Sequence, residues 1–150
     1  MRAVIQRVSK ASVTIAGHEH SRIDHGLLVL LGVEDCDESV DIDWLVGKIA
    51  QMRLFADDLG KMNRNVVDVG GSILVVSQFT LHASTKKGNR PSFLRAAHPQ
   101  KAEPFYEQFC TQLASVATVS VHHGVFGADM QVALCNDGPV TILLDSRDRE

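Results

Sequence analysis

Apolar residues alternate or run together over Val4 to Val8 and Ser12 to Ile15, which predicts two strands, and Leu27 to Val33 reads as a strand buried on both faces. From Asp37 to Phe55 the spacing changes. Val40, Trp44, Leu45, Ile49, Met52 and Phe55 fall on a helical stripe, with Asp37 or Ser39 available as N-cap. A Gly70-Gly71 turn then leads into a strand over Ile73 to Phe79. Pro99 suits the first turn of a second helix, whose Phe105, Phe109, Leu113 and Val116 recur at helical spacing as far as Ala117. The last third returns to strands over Thr118 to Val121, Met130 to Cys135 and Val140 to Leu144, with a polar tail from Asp145 to Glu150. No repeat or low-complexity linker interrupts this order.

Two short segments break the pattern. Ser77-Gln78-Phe79-Thr80 puts polar groups at the end of an apolar run, and Asn136-Asp137-Gly138-Pro139-Val140-Thr141 lies between the last two strands. Period-two geometry would send Ser77 and Phe79 to one face and Gln78 and Thr80 to the other. Asn, Asp and Gly before a proline are compatible with a plain hairpin turn. The hairpin is the ordinary reading, but Gly-Pro can also adopt a cis bond, which would turn the glycine carbonyl outward in a projecting loop. In that case two backbone carbonyls would line a pocket.

Length and composition bound the rest. The 150 residues, 45% of them hydrophobic, fit one domain over 1–150 with one sizeable core. The longest apolar run, Leu27 to Leu31, is far short of the roughly 20 residues that span a membrane. Gln6, Arg7 and Lys10 interrupt any apolar leader at the start, so a cytoplasmic address is expected. Cys36, Cys110 and Cys135 form an odd set without CxxC spacing, read as reduced and structural. A net charge of −3 gives no general attraction to nucleic acid, yet Lys86, Lys87, Arg90 and Arg95 cluster in a stretch without acids. That cluster is either a solvated loop or a local phosphate contact.

Conventional catalytic groups are sparse. Thr80 shares a strand face with His82, which permits a reading in which His82 activates the Thr80 hydroxyl. No third residue to orient the ring is evident, and no GxSxG elbow occurs. An exposed histidine at a strand end is the plainer account. The seven histidines include no HExxH motif and no cysteine pairing, so no metal and no cofactor are expected.

Segments spread along nearly the whole chain are similar to those of the D-aminoacyl-tRNA deacylases of the bacterial and eukaryotic type. They are Met1-Arg2-Ala3-Val4-Ile5-Gln6-Arg7-Val8, Gly26 to Val33, Gly60-Lys61-Met62-Asn63, Ser77-Gln78-Phe79-Thr80-Leu81, Lys87-Gly88-Asn89-Arg90-Pro91-Ser92-Phe93, Gly127-Ala128-Asp129-Met130 and Asn136 to Thr141. In that order and spacing the SQFTL and NDGPVT segments are highly specific. His82 to Lys86 and the residues after Leu144 are less family-like.

The resemblance implies an α+β fold, a small β-barrel-like mixed sheet with two flanking helices, assembled as a homodimer. It implies hydrolysis of the ester between a D-amino acid, or glycine, and the terminal adenosine of tRNA. The partner is the aminoacyl-tRNA acceptor end, with no membrane involved. Gly138 and Pro139, joined by a cis bond, would reach into the partner subunit's pocket as a chiral filter that rejects L residues. Backbone N–H groups around Phe79 and Thr80 would hold the carbonyl oxygen as it gains charge. The ribose 2′-hydroxyl would help to activate water. Ser77 and Gln78 would shape the pocket, Thr80 would be a pocket residue with a dispensable hydroxyl, Arg7 and Met130 would support the proline loop, and Phe126 would pack beside the aminoacyl group. Two other readings remain open: an esterase with Thr80 as nucleophile, and a nucleic-acid-binding module without catalysis.

Overall fold

The apolar runs of Leu27 to Leu31 and Ile73 to Val76 are continuous because each residue has a hydrophobic layer to enter on one side or the other. In the computed structural model, which describes residues 1–149, they are β3 (Gly26–Gly32) and the fourth strand of the main sheet, β6 (Ser72–Ser77), paired in parallel. Leu27, Val29, Leu31, Ile73 and Val75 enter one core and Leu28, Leu74 and Val76 the other. A strand with water on one face could not carry such a run.

The main sheet runs β2 (His18–Ile23), β1 (Arg2–Ile15), β3, β6 and β7 (Val121–His123), with β8 (Met130–Asp145) on the other edge of β1. Contacts of β2 with β6 and β7 curl it into a nearly closed barrel around Val8, Ala11, Val13, Ile23, Leu28, Leu74 and Val76. A separate small hairpin joins β4 (Phe55–Ala56) to β5 (Met62–Arg64). The larger core lies between the sheet and two mutually packed helices, α1 (Ser39–Gln51) and α2 (Pro99–Ala117). This is the expected α+β arrangement.

Several expectations change in detail. Val4 to Val8 and Ser12 to Ile15 belong to one strand, because β8 spans the polar interval between them along the other edge. The cap of α1 is Glu38, whose N–H donates to the Asp41 carboxylate at 2.8 Å, and neither Asp37 nor Ser39 takes that place. Asp37 instead receives the Met1 ammonium at 2.5 Å. Val40 and Val116 lie on exposed helix faces, while Tyr106 and Cys110 join the buried stripe of α2. Cys36 and Cys135 are exposed, so only Cys110 is a core thiol; burial pushes its pKa up to about 12.

Met130 to Cys135 and Val140 to Leu144 are likewise halves of one strand. Both pair with β1, so Asn136 to Pro139 is no hairpin turn. Of the expected tail, Asp145 closes β8 and pairs with Arg2, Ser146 is buried, and Arg147 contacts Asp37 and Asp41. Glu150 lies outside the described residues.

Candidate functional site

The strand carrying the first polar segment stops earlier than the alternation predicts. β6 ends at Ser77, and Phe79–His82 forms one 3-10 turn, so Phe79 and Thr80 are not governed by strand geometry. The turn is anchored where the Gln78 N–H donates to the Leu31 carbonyl at 2.7 Å, and it closes where the Leu81 N–H donates to the Gln78 carbonyl at 3.2 Å. Phe79 and Thr80 open the turn, so their N–H groups have no acceptor within it. Two adjacent backbone donors left free by the turn suit an oxygen that gains negative charge.

Ser77, Gln78 and Phe79, at the start of the turn, border a cavity of about 550 Å³. Ser77, Gln78, Phe79, Phe126 and Met130 all line it, together with Ala96, Ala97 and Tyr106. Its size suits a small organic group. Phe79 packs edge-on against Phe93, with ring centroids 5.1 Å apart. Tyr106 donates to the Val75 carbonyl at 2.9 Å, and burial drives its pKa well above the ordinary value, so it stays a neutral donor. Reading the helical stripe of α2 through Phe105 and Phe109 missed Tyr106. The signal was its place three residues before Phe109, on the same helix face.

Thr80 lies just outside this lining, and its hydroxyl accepts from the Gln78 side-chain amide at 2.5 Å. His82 is not the exposed histidine expected from sequence: it is 1% exposed. Its Nδ1 faces Glu34 Oε1 at 3.3 Å, and the Thr80 hydroxyl is not its partner. Burial lowers its pKa from 6.5, opposed by Glu34, so the ring is neutral at pH 7. The proposed nucleophile and base are therefore not paired.

Gly138, Pro139 and Arg7 lie away from this cavity lining. Val8 pairs with Asn136 and Gln6 with Thr141, which leaves Arg7 alone against residues 137–140. The surplus residues bulge from β8 with Gly138 and Pro139 exposed and their peptide bond cis. Arg7 Nε donates to the Asp137 carbonyl at 2.8 Å and Nη1 to the Leu54 carbonyl at 2.6 Å. Asn136 closes the base, accepting from the Val140 N–H at 2.8 Å and donating to Thr141 at 3.0 Å. The Asn136 role was not foreseen, although an Asn before a bulge is a familiar side-chain acceptor for backbone.

The basic segment is exposed from Lys86 to Arg95, and Ala96 and Ala97, which follow it, line the cavity. Glu34, Cys36 and Asp37 bring candidate metal-binding atoms within 4.8 Å of one another. The two carboxylates are already engaged, Asp37 by the Met1 ammonium and Glu34 by Arg95 at 2.6 Å. The group is accounted for as ion pairs. No helix among the described residues is long and apolar enough to cross a membrane.

A mixed barrel with two packed helices, a cavity bordered by an open 3-10 turn and a polar bulge outside its lining make a small α+β domain whose candidate site is rich in backbone groups. The D-Tyr-tRNA(Tyr) deacylase family model matches residues 4–145, and the chain belongs to that family. D-aminoacyl-tRNA deacylases of Cytophaga hutchinsonii and Akkermansia muciniphila are 58% and 60% identical over 150 residues, covering 100% of both chains in each case. The solved structure of a c-Myc DNA unwinding element binding protein has a TM-score of 0.91 at 44% identity, covering 97% of this chain and 98% of the other. A probable eukaryotic D-amino acid tRNA deacylase shares the fold at 16% identity, with a TM-score of 0.84 and 95% and 97% coverage.

Proposed function

We propose that the protein hydrolyses the ester joining a D-amino acid, or glycine, to the terminal adenosine of tRNA, and spares L-aminoacyl-tRNA. The carrying observation is the pair of N–H groups at Phe79 and Thr80 without an acceptor in their turn, with Phe79 lining a cavity of about 550 Å³ and Thr80 next to it in the chain. They stabilise the carbonyl oxygen as water attacks, and the terminal ribose 2′-hydroxyl helps to activate that water. Ser77, Gln78, Phe126 and Met130 shape the pocket. The lack of a Thr80–His82 hydrogen bond favours this reading over a threonine nucleophile.

Chirality is read by the bulge of a second copy. Gly138 and Pro139 project from an edge strand that pairs, among the described residues, with β1 alone, and Leu134 and Leu143 are exposed along it. A homodimer would carry the bulge of each subunit into its partner's pocket. Because enantiomers offer the same groups, a rigid carbonyl wall discriminates by rejection, and glycine has no side chain to reject. The exposed basic segment from Lys86 to Arg95 takes the acceptor-end phosphates. The enzyme works in the cytoplasm, where charged tRNA is used.

The test is loss of ester from matched D-, L- and glycyl-tRNA, with a parallel D-substrate lacking the terminal 2′-hydroxyl. D and glycyl esters should be cleaved, while the L ester and the 2′-deoxy substrate persist. Equal D and L rates would overturn the filter. Binding of tRNA with no effect on any ester would favour the non-catalytic nucleic-acid module, the one alternative with a nucleic-acid-binding namesake among the similar structures.

A further inference from the structure

Glu34 and His82 are buried against each other, and the exposed Arg95 closes on the same carboxylate from outside. Glu34 is 5% exposed, follows β3, and forms an isolated antiparallel bridge with Ala96. On one side His82 Nδ1 lies 3.3 Å from Glu34 Oε1, and on the other Arg95 Nε lies 2.6 Å from the same oxygen. His82 is the last residue of the turn that presents the Phe79 and Thr80 N–H groups. Arg95 is the last residue of the basic segment, and Ala96 and Ala97, which follow it, also line the cavity.

We propose that Glu34 is a positioning residue for the pocket, its carboxylate tying the Phe79–His82 turn, through His82, to the basic segment and the wall that follows it, through Arg95. The role rests on the deacylase reading of the same cavity and adds to it the device that sets the spacing of the two walls.

The local packing is built for this contact. A Cβ at Gly32 would come within 2.9 Å of His82 Nε2 and 3.0 Å of the Gln78 carbonyl, so glycine lets both the imidazole and that carbonyl lie this close to the end of β3. The Gln78 carbonyl is the acceptor that closes the turn. Both ring nitrogens of His82 and Glu34 Oε1 are buried without a hydrogen bond of good geometry, so their contacts are close-range electrostatics. Arg2 reaches the same turn, its Nη1 donating to the Leu81 carbonyl at 3.1 Å. A shift of about 1 Å between walls is enough to misplace an oxyanion site, at a cost of order 100-fold.

Charge decides when the tie is balanced. The groups facing His82 are the Glu34 carboxylate, the Arg2 guanidinium and the Met1 ammonium, with Arg95 on the far side of Glu34. At neutral pH the imidazole is uncharged, and Glu34 answers Arg95. Protonation in acid puts a second cation against one carboxylate oxygen and beside two further cations. His82 then competes with Arg95, and the two walls lose their fixed spacing.

Purified protein is compared with Glu34→Gln and His82→Gln by single-turnover hydrolysis of D-aminoacyl-tRNA from pH 5 to 8, and by amide NMR of the ligand-free protein over the same range. Expected are a kcat about tenfold lower in Glu34→Gln with KM within about twofold, and loss of the wild-type acid limb in His82→Gln. In the free wild-type protein the Phe79 and Thr80 amide signals should move with the His82 titration, and that linked movement should vanish in Glu34→Gln. Wild-type kcat and an unchanged pH profile in both variants, or Phe79 and Thr80 signals indifferent to His82, would overturn the positioning role. A wild-type protein inert toward D-aminoacyl-tRNA would instead overturn the functional reading, while the NMR measurement still decides the coupling.

Discussion

Arg7 donates from Nε to the backbone carbonyl of Asp137 at 2.8 Å, so a single residue of β1 holds the start of a four-residue bulge on β8. Its Nη1 reaches Leu54 beyond α1, which ties the bulge to the body of the fold. Through this one side chain the Gly138-Pro139 segment gains a fixed direction without a turn of its own.

Arg7→Ala should therefore loosen the bulge and also destabilise the fold. Hydrogen bonds from a charged donor contribute about 1.5–3 kcal/mol. A loss of about 2 kcal/mol in urea unfolding is expected, with D-ester hydrolysis reduced more than tenfold. Arg7→Lys should recover little, since one ammonium cannot reproduce the two-pronged geometry. Full activity in Arg7→Lys would show that charge alone suffices.

Gly138→Ala meets a steric limit. The added Cβ would lie 2.8 Å from Val140 Cγ2 and 2.9 Å from Arg7 Nη2, at a φ of +140° that L residues rarely adopt. We expect about 1–3 kcal/mol of destabilisation and relaxed or blocked D-substrate turnover, read from Tm and from the ratio of D to L rates. A variant with the wild-type ratio and Tm would contradict this.

Thr80→Ala separates side chain from backbone. Its hydroxyl is taken by Gln78, and its N–H survives the substitution, so most of the activity should remain. Abolished turnover, together with an acyl group trapped on Thr80 in the wild type, would establish the nucleophilic alternative.

Tyr106→Phe removes one of two donors to the Val75 carbonyl, which keeps the Gly124 N–H at 2.9 Å. About 0.5–1.5 kcal/mol of stability should be lost, measured by denaturant titration. No loss would mean that the Gly124 bond alone satisfies the carbonyl.

Acid stability follows from His82. Its folded pKa is lowered, chiefly by burial, so below 6.5 the unfolded chain takes up the proton first. The contribution is complete above pH 6.5 and is lost as pH falls through the folded value. Asp41 and Asp145 act in the same sense lower down: burial raises each, but hydrogen bonds and nearby cations outweigh it and hold both below the ordinary carboxylate value. Wild-type Tm should fall on acidification from pH 6.5, and His82→Gln should flatten the first part of that fall.

Periodicity made much of the fold legible. Short runs apolar at every position read as strands buried on both sides, and the stripes at helical spacing gave α1 and α2, because burial acts locally on sequence pattern. The segments Ser77 to Thr80 and Asn136 to Thr141 stood out for the same reason: polar groups and proline violate the pattern around them. Five of the named residues, Ser77, Gln78, Phe79, Phe126 and Met130, line one cavity.

Partnership across the sheet was not legible. Asn136 to Pro139 looks like a turn until β1 is seen to pair with β8 on both sides of it. His82 looks solvent-exposed until Gly32 and Glu34, some fifty residues earlier, close around it. Sequence by itself determined which residues must be buried and which short segments depart from that rule, since both depend on neighbours along the chain. Only the tertiary structure decided that Arg7 faces the bulge and Glu34 faces His82, because those contacts depend on strand register and on how the chain folds back upon itself.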